Sequence, residues 1–508
     1  MSGPVGAVRG CPPEAEAGGM QNAKCKMQNE GGSIVPGAAL EALSRLNAAG
    51  YAAFLVGGCV RDGLLGRVPG DWDITTSALP EQVEAVFAGE RIIETGLKHG
   101  TVTVLLEETN DRDRCAAAWG QAALQPPTDG KHTALPLEIT TFRTESGYAD
   151  HRHPDAVAFT PSLTEDLARR DFTINAMAWN CTDGLQDPFR GQQDLNLGII
   201  RCVGEPAKRF GEDALRILRA LRFAAQLDFT IDPATAEAAF ALRDTLALVS
   251  RERIAVELTK LLCGPAARRI LTEYWEILAV PLPELAPMAG LDQRCKYHCY
   301  DVLEHSAAAV ETVPPEPVSR WAALLHDVAK PACFTVDEAG CGHFYGHAKA
   351  GGPLAREILT RLRFDKDTVN RVSTLVELHD YPIDPPDGPP ETAIRKLIGR
   401  LGPEDFFRLL DLKRADSLAH HPDYRNRTAA CDRLAALARE LLAQPPCFTV
   451  RDLTIDGKDL LALGVPRGPE IGLRLNALLE AVLSGALPNE REALLARAKD
   501  TAESEFRK

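Results

Sequence analysis

Two aspartates, two glycines and an arginine lie close together near the start of the chain. They occur in Val56-Gly57-Gly58-Cys59-Val60-Arg61-Asp62, followed by Gly66 and then by Asp71-Trp72-Asp73-Ile74. Side chains alternate along an extended strand, so Asp71 and Asp73 project to one face while Trp72 points to the other. Two carboxylates roughly 6 to 7 Å apart along a backbone form an all-oxygen site suited to Mg²⁺, which keeps waters and accepts phosphate oxygens. Gly57 and Gly58 remove Cβ atoms where a backbone must pass close to a triphosphate. Arg61 can fork onto a phosphate, and Asp62 can hold Arg61 or cap a helix. Taken singly, Gly-Gly is a turn and Asp-x-Asp a solvated strand end.

A second group lies in Glu212-Asp213-Ala-Leu-Arg216-Ile-Leu-Arg219-Ala-Leu-Arg222-Phe223. The spacing predicts one continuous helix with Asp213 and Arg216 as neighbours on one face. An aspartate accepts and an arginine donates through a planar fork, so the pair can offer a base edge what a complementary base offers. The plainer reading is a surface ion pair. Arg222 stands nine residues after Asp213, about 900° of helical rotation, hence on roughly the opposite face. A third group is the ordered set His305, His326-Asp327 and Asp416, imidazoles and carboxylates suited to a divalent metal. His347 and His379 can extend it or be ordinary surface histidines. Cys295-x-x-x-Cys299 beside His298 has the types for zinc but lacks a second Cys/His pair.

These groups need elements to carry them. Apolar residues recur at helical spacing from Pro36 to Ala49, and Tyr51 to Val56 reads as a strand ending at Gly57-Gly58. Asp73-Ile74, Val102 to Leu106 and Leu137 to Phe142 are further strand candidates, with a polar, Pro-containing insertion over 107–136 between the last two. From Phe210 onward helical periodicity dominates, so the expected class is α+β: a small α/β head followed by a mostly helical body. Residues 1–32, rich in Gly, Pro and Ala, read as a disordered leader. Within it Met20-Gln21-Asn22 recurs as Met27-Gln28-Asn29, as tandem copies of ATGCAAA would encode, and we expect the start codon to be assigned too far upstream.

Composition sets outer limits. With 508 residues, 45% hydrophobic and 25% charged, the chain is globular and long enough for several cores. It has no apolar run of membrane-spanning length and no secretory signal, so a cytoplasmic protein without membrane association is expected. The odd count of 13 cysteines fits reduced thiols. A net charge of −14 excludes nonspecific coating of nucleic acid, yet residues 201–270 carry twelve Lys/Arg against nine Asp/Glu and are the place to look for polyanion binding.

The first segment resembles the signature of the nucleotidyltransferase superfamily, in its class II tRNA nucleotidyltransferase and bacterial poly(A) polymerase branch. The likeness continues through Glu94 to Thr103, similar to the family's flexible catalytic loop, and through Glu138 to Glu145, where Glu138 is either a third carboxylate or a structural strand residue. It extends to Leu167-Ala-Arg-Arg170-Asp171-Phe-Thr-Ile-Asn-Ala-Met-Ala178, to the connector Asp187 to Gly191 with Asp194 and Ile200 to Gly204, and to Ser250 to Leu258. It spans about residues 34–262 in the family's order, with two departures, the 107–136 insertion and Gly70 where many relatives carry Lys. The resemblance implies Mg²⁺ on Asp71 and Asp73 and nucleotide contacts from Gly57, Gly58, Arg61, Arg170, Asp213, Arg216, Arg219 and Arg222. It implies addition of C, C and A to tRNA 3′ ends from CTP and ATP.

The later segment resembles an HD-type metal-dependent phosphohydrolase domain, implying a second divalent metal on His305, His326, Asp327 and Asp416, with His347 and His379 if two metals bind. The expected divisions are a leader 1–32, head 33–190, neck 191–290, HD-type domain 291–425 and helical tail 426–508. The alternatives are a poly(A) polymerase, an enzyme adding only CC or only A, and an HD phosphohydrolase with a degenerate head. The HD substrate and the oligomeric state are not legible.

Overall fold

A computed structural model describes residues 28–29, 32–33, 35–96, 100–107, 134–147, 156–382, 391–425, 428–443 and 448–505. Most of the expected leader, residues 97–99 of the expected catalytic loop and 108–133 of the insertion lie outside these. The chain divides into two compact units, one of Met1–Ala220 with Phe229–Leu242 and one of Leu221–Asp228 with Arg243–Lys508.

The first unit is organised by a seven-stranded mixed sheet. Its strands are β1 (Ala53–Val56), β2 (Asp73–Thr76), β3 (Arg91–Gly96), β4 (Thr101–Glu107), β5 (Ala134–Thr141), β8 (Ala178–Asn180) and β9 (Gly184–Gln186), while β6 (Arg143–Ser146) and β7 (Ala156–Phe159) form a separate hairpin. The sheet order is β9-β8-β1-β2-β5-β4-β3. β2 and β5 run parallel, with Asp73 opposite Glu138. Leu137 and Ile139 are fully buried while Glu138 between them is exposed, the alternation that turns a strand's polar residues to one face. Helix Gly37–Ala48 buries Ala38, Ala39, Ala42, Leu43 and Leu46, the stripe that its periodicity predicts.

One expected element differs. Glu212 to Phe223 is not one helix: Pro206–Glu212 ends at Asp213, which is extended at φ −139°, and a new helix runs Leu215–Leu227. The reason is local, because the Asp213 carboxylate accepts from the Leu215 N–H at 3.0 Å and so caps the second helix as aspartates do.

The second unit is helical. Val302–Thr312, Pro317–Leu325, His347–Arg361, Lys366–Leu378 and Pro403–Ala419 surround a core that includes Trp321, Leu324, Ile358, Val372 and Leu409, with a small ladder Thr335–Val336/Gly342–His343 at its edge. Beyond it, helices Glu391–Leu401, Thr428–Ala443 and Pro469–Leu483 share one apolar cluster, and Leu460, Leu475 and Leu494 belong to another. Among the described residues, Cys59 and Cys202 are buried free thiols.

Candidate functional site

In the first unit the ladder sets three carboxylates beside one another. Trp72 is buried, Asp71 is exposed and Asp73 is half-buried at the start of β2, with Glu138 directly across the parallel pair. Burial first, and then the charges of Asp71 and Glu138, push the Asp73 carboxyl up from 3.8 to about 6, with Arg170 pulling the other way. Negative charge here exceeds what the protein neutralises, the condition under which a hard cation is attracted to oxygen ligands.

Arg170 faces this group. Its Nη1 lies 3.2 Å from where a Cβ on Gly57 would stand, and Gly57 holds φ +78°, a backbone conformation that favours glycine. The arginine is braced from below. Asp166, fully buried, accepts from Thr75 Oγ1 at 3.1 Å and Arg169 Nε at 2.9 Å, and lies 3.6 Å from Arg170 Nη2. Arg170 Nε is buried without a hydrogen-bond partner. Arg61 is turned inward: Nε and Nη2 donate to the two Asp62 oxygens at 2.9 Å each, and Nη1 donates to Asn175 Oδ1 at 2.8 Å. Of the two roles open to Asp62, the structure displays the hold on Arg61. Gly58 begins the helix Gly58–Leu64 that carries Arg61.

At the helix break, Arg216 donates to Glu212 at 2.6 Å and to the carbonyls of Arg209 and Arg169 at 3.2 and 3.1 Å. Its ion pair therefore runs to Glu212, one turn back, because Asp213 has left the helix. Arg219 donates to Asp171 Oδ2 at 2.7 Å. Burial pushes Asp171 up, but Arg219 and Arg216 outweigh it and hold the acid down to about 2. Arg222 belongs to the other unit, where its Nε lies 3.1 Å from Glu257 Oε2 and its guanidinium stacks over Phe223.

In the second unit six ligand-type side chains come together. His326 and His379 terminate Pro317–Leu325 and Lys366–Leu378, His347 opens His347–Arg361, and His305 and Asp416 lie within Val302–Thr312 and Pro403–Ala419. His326, His347 and His379 each place Nδ1 on the carbonyl three residues earlier, Ala323, Phe344 and Val376, at 2.8, 2.8 and 2.7 Å. A carbonyl only accepts, so each Nδ1 carries a ring proton and each Nε2 turns inward. His347 and His379 Nε2 are 3.1 Å apart, two acceptors face to face.

Asp327 lies between two groups. Its Oδ2 is 3.2 Å from His326 Nε2 and 3.5 Å from His305 Nε2, and its Oδ1 is 3.4 and 3.8 Å from His347 and His379 Nε2. His305 Nε2 is 3.0 Å from Asp416 Oδ1. Ligand atoms of His305, His326 and Asp416, and separately of Asp327, His347 and His379, cluster closely enough for a metal ion. Burial opposes ionisation of Asp327, but His326 and Lys330 keep it far below the carboxylate range; burial brings His379 down to about 3. A cavity of about 560 Å³ opens onto the cluster, lined also by Lys330, His298, His420, Tyr345 and Tyr424. His298 packs on His305 and His420, with ring centroids at 5.2 and 4.5 Å. Neither Cys295 nor Cys299 joins it in a metal-ligating group among the described residues, so the zinc reading is not met.

Sequence reasoning missed Asp166, Asn175 and His420. Asn175 lay inside a quoted motif, but nothing in its type or spacing marked it out. His420 adjoins Asp416 in sequence without a ligand spacing of its own.

Comparison with known proteins finds matches over four stretches of the chain. The chain matches the family described as poly A polymerase head domain over residues 53–201 and the probable RNA and SrmB-binding site of polymerase A over 228–288. It matches the HD domain over 296–420 and the tRNA nucleotidyltransferase domain 2, putative, over 424–498. It is 34% identical to a CCA-adding enzyme of Lactobacillus gasseri over 457 residues, 90% of this chain and 95% of that one. It is 33% identical to a CCA-adding enzyme of Geobacillus stearothermophilus over 461 residues, again 90% and 95%. The crystal structure of the Bacillus stearothermophilus CCA-adding enzyme in complex with CTP superposes with a TM-score of 0.65 at 30% identity, covering 92% of this chain and 98% of that one. Along nearly its whole length, the chain belongs to the family of CCA-adding enzymes.

Proposed function

We infer that this protein adds C, C and A in turn to the 3′ end of tRNA, drawing on CTP and ATP and using no nucleic-acid template. The observation that carries this reading is the pairing of Asp73 with Glu138 beside Asp71, a carboxylate set whose charge Arg170 only partly offsets. Asp71 and Asp73, with Glu138 as third member, would hold Mg²⁺, which when bound stabilises charge on the attacking 3′-oxygen and on the leaving pyrophosphate. Arg170 and the turn at Gly57 and Gly58 receive the triphosphate, donating where phosphate charge gathers. Asp213 accepts and Arg216 donates at the helix break, and this duo chooses the base, while Arg219 is held on Asp171. The basic stretch 201–270 supplies the tRNA-facing charge. Among the described residues no helix is long and apolar enough to cross a membrane, and we place the enzyme with its tRNA in the cytoplasm.

The test uses tRNA lacking its terminal CCA, incubated with CTP and then with ATP. Two cytidines followed by one adenosine is expected. A long adenosine tail, a halt after C, or addition of A alone would each replace this reading by one of its rivals within the class.

A second reading concerns the other unit: it holds divalent metal on His305, His326, Asp327 and Asp416, and a second ion on Asp327, His347 and His379. The facing Nε2 atoms of His347 and His379 at 3.1 Å support it, since a cation between them removes the clash of lone pairs. Bound there, such an ion polarises a phosphoryl oxygen and activates water, and phosphoester hydrolysis is the reaction we assign to the cavity. That the head is a degenerate RNA-binding remnant is disfavoured by the carboxylate set in the first unit.

A further inference from the structure

We propose that Asn175 is a positioning residue for nucleotide selection, joining the glycine turn to the helix that reads the base. It belongs to the single turn Thr173–Asn175 and is 6% exposed, behind the turn at Gly57, whose N–H donates to the Met177 carbonyl at 3.3 Å. Its side-chain oxygen accepts from Arg61 Nη1 at 2.8 Å, and its side-chain nitrogen donates to Asp171 Oδ1 at 3.4 Å. Asp171 Oδ1 also takes the Phe172 N–H at 2.8 Å, and its other oxygen takes Arg219 Nε at 2.7 Å. Asp62, Arg61, Asn175, Asp171 and Arg219 thus form an unbroken polar chain from the phosphate-facing turn to helix Leu215–Leu227.

The chemistry of this chain permits one arrangement. Arg61 can only donate and the Asp171 carboxylate can only accept, so the residue between them must accept on one side and donate on the other. A carboxamide does both. Aspartate at 175 would keep Arg61 and set a second anion against Asp171; alanine would lose both links and leave Arg61 Nη1 and Asp171 Oδ1 each one partner short. The 3.4 Å bond is the longest in the chain and the point where it parts most readily.

The consequence rests on the transferase reading above. Arg61 orients the turn that receives phosphate, and Arg219 stands one helical turn from Arg216, which reads the base. A nucleotide gripped at both ends is tested against the base edge only if the two grips keep a fixed separation, because small misplacements of reacting groups cost large factors in rate. Without Asn175 each grip survives, but their relative placement loosens. UTP is the probe, since it has the ring size of CTP with the donor and acceptor at its reading edge exchanged.

The experiment measures kcat/KM for CTP and for UTP on tRNA lacking CCA, in wild-type protein, Asn175→Ala, Asn175→Asp, Arg219→Ala and the double variant Asn175→Ala/Arg219→Ala. The ratio of the two constants does not depend on how much protein is correctly folded, so general destabilisation leaves it unmoved. We expect the CTP-over-UTP ratio to fall at least tenfold in Asn175→Ala and in Asn175→Asp, and the double variant to fall no further than the lower of its two parents. A ratio within twofold of wild type in either Asn175 variant overturns the proposal, as does a double variant whose loss is the product of the single losses. Should Asn175→Ala fail to fold, the isosteric Asn175→Asp decides alone. Failure of wild-type protein to incorporate CTP would instead sink the transferase reading itself.

Discussion

The chain offers two candidate metal centres made from opposite materials. The first unit offers carboxylates alone, Asp71 and Glu138 exposed and Asp73 half-buried, with little else to neutralise them. The second offers four imidazoles and two carboxylates, with His326, His347 and His379 each turned by a carbonyl behind it. All-oxygen, solvent-reached sites favour Mg²⁺, which keeps its waters and arrives with the substrate's phosphates; nitrogen-rich, oriented sites favour transition metals and retain them. The two sets differ in kind of ligand, and the difference was written into residue type before it was written into space.

The sharpest way to break this comparison is to remove one centre and read both. Asp71→Ala should lower CTP transfer at least a thousandfold, measured by extension of tRNA lacking CCA, with the metal content after purification unchanged. Asp327→Ala should do the reverse: transfer stays within about threefold of wild type, while metal retained through gel filtration, read by inductively coupled plasma mass spectrometry, falls to none. His347→Ala should then lower retained metal from two ions to one. A wild-type protein that retains one ion overturns the second site, and one that retains none overturns the whole His/Asp centre. Loss of transfer in Asp327→Ala would show that the two centres are not independent.

How much of this was visible in sequence depends on how local the cause is. Asp71 and Asp73 were legible because strand alternation acts over three residues, and β1, β2, β4 and β5 fell where alternation and β-branched runs put them. The pairing of Asp73 with Glu138 was not, since the partners stand 65 positions apart in sequence and only sheet order makes them neighbours. The His305, His326-Asp327, Asp416 set was named from residue type; the Nδ1 contacts that aim three histidines depend on helix ends whose register no composition reveals. The break at Asp213 was missed although its signal was present. Aspartate two residues before a helical run is a cap, but the apolar period continued across it and masked the interruption. Asn175 had no signal of its own, because its role is set by Arg61 far upstream and by the bond that Asp171 shares with Arg219.

The smallest expected effect is the most diagnostic, because the two centres should answer it with opposite signs. In the first unit Asp73 is held up at about 6 by burial and by Asp71 and Glu138, so the folded state keeps a proton that the unfolded chain releases at the ordinary 3.8. Below 3.8 the carboxyl is neutral in both states and Asp73→Asn changes little. As pH rises through about 6 the wild-type charge becomes a burden, and the variant should be more stable. A displacement of this size is worth about 3 kcal/mol, or roughly 1 to 2 kcal/mol once contact with solvent is allowed for. Asp327 is the reverse case: despite burial, His326 and Lys330 favour its ionised form, so its stabilising contribution is present above the ordinary carboxylate range and lost as pH falls. Asp327→Asn should therefore destabilise at neutral pH. Urea unfolding of both variants at pH 4 and pH 7.5 in the presence of EDTA makes the measurement. If Asp73→Asn destabilises at pH 7.5, or its effect is the same at both pH values, then the first carboxylate set is already compensated within the protein, and the electrostatic case for a cation there is lost.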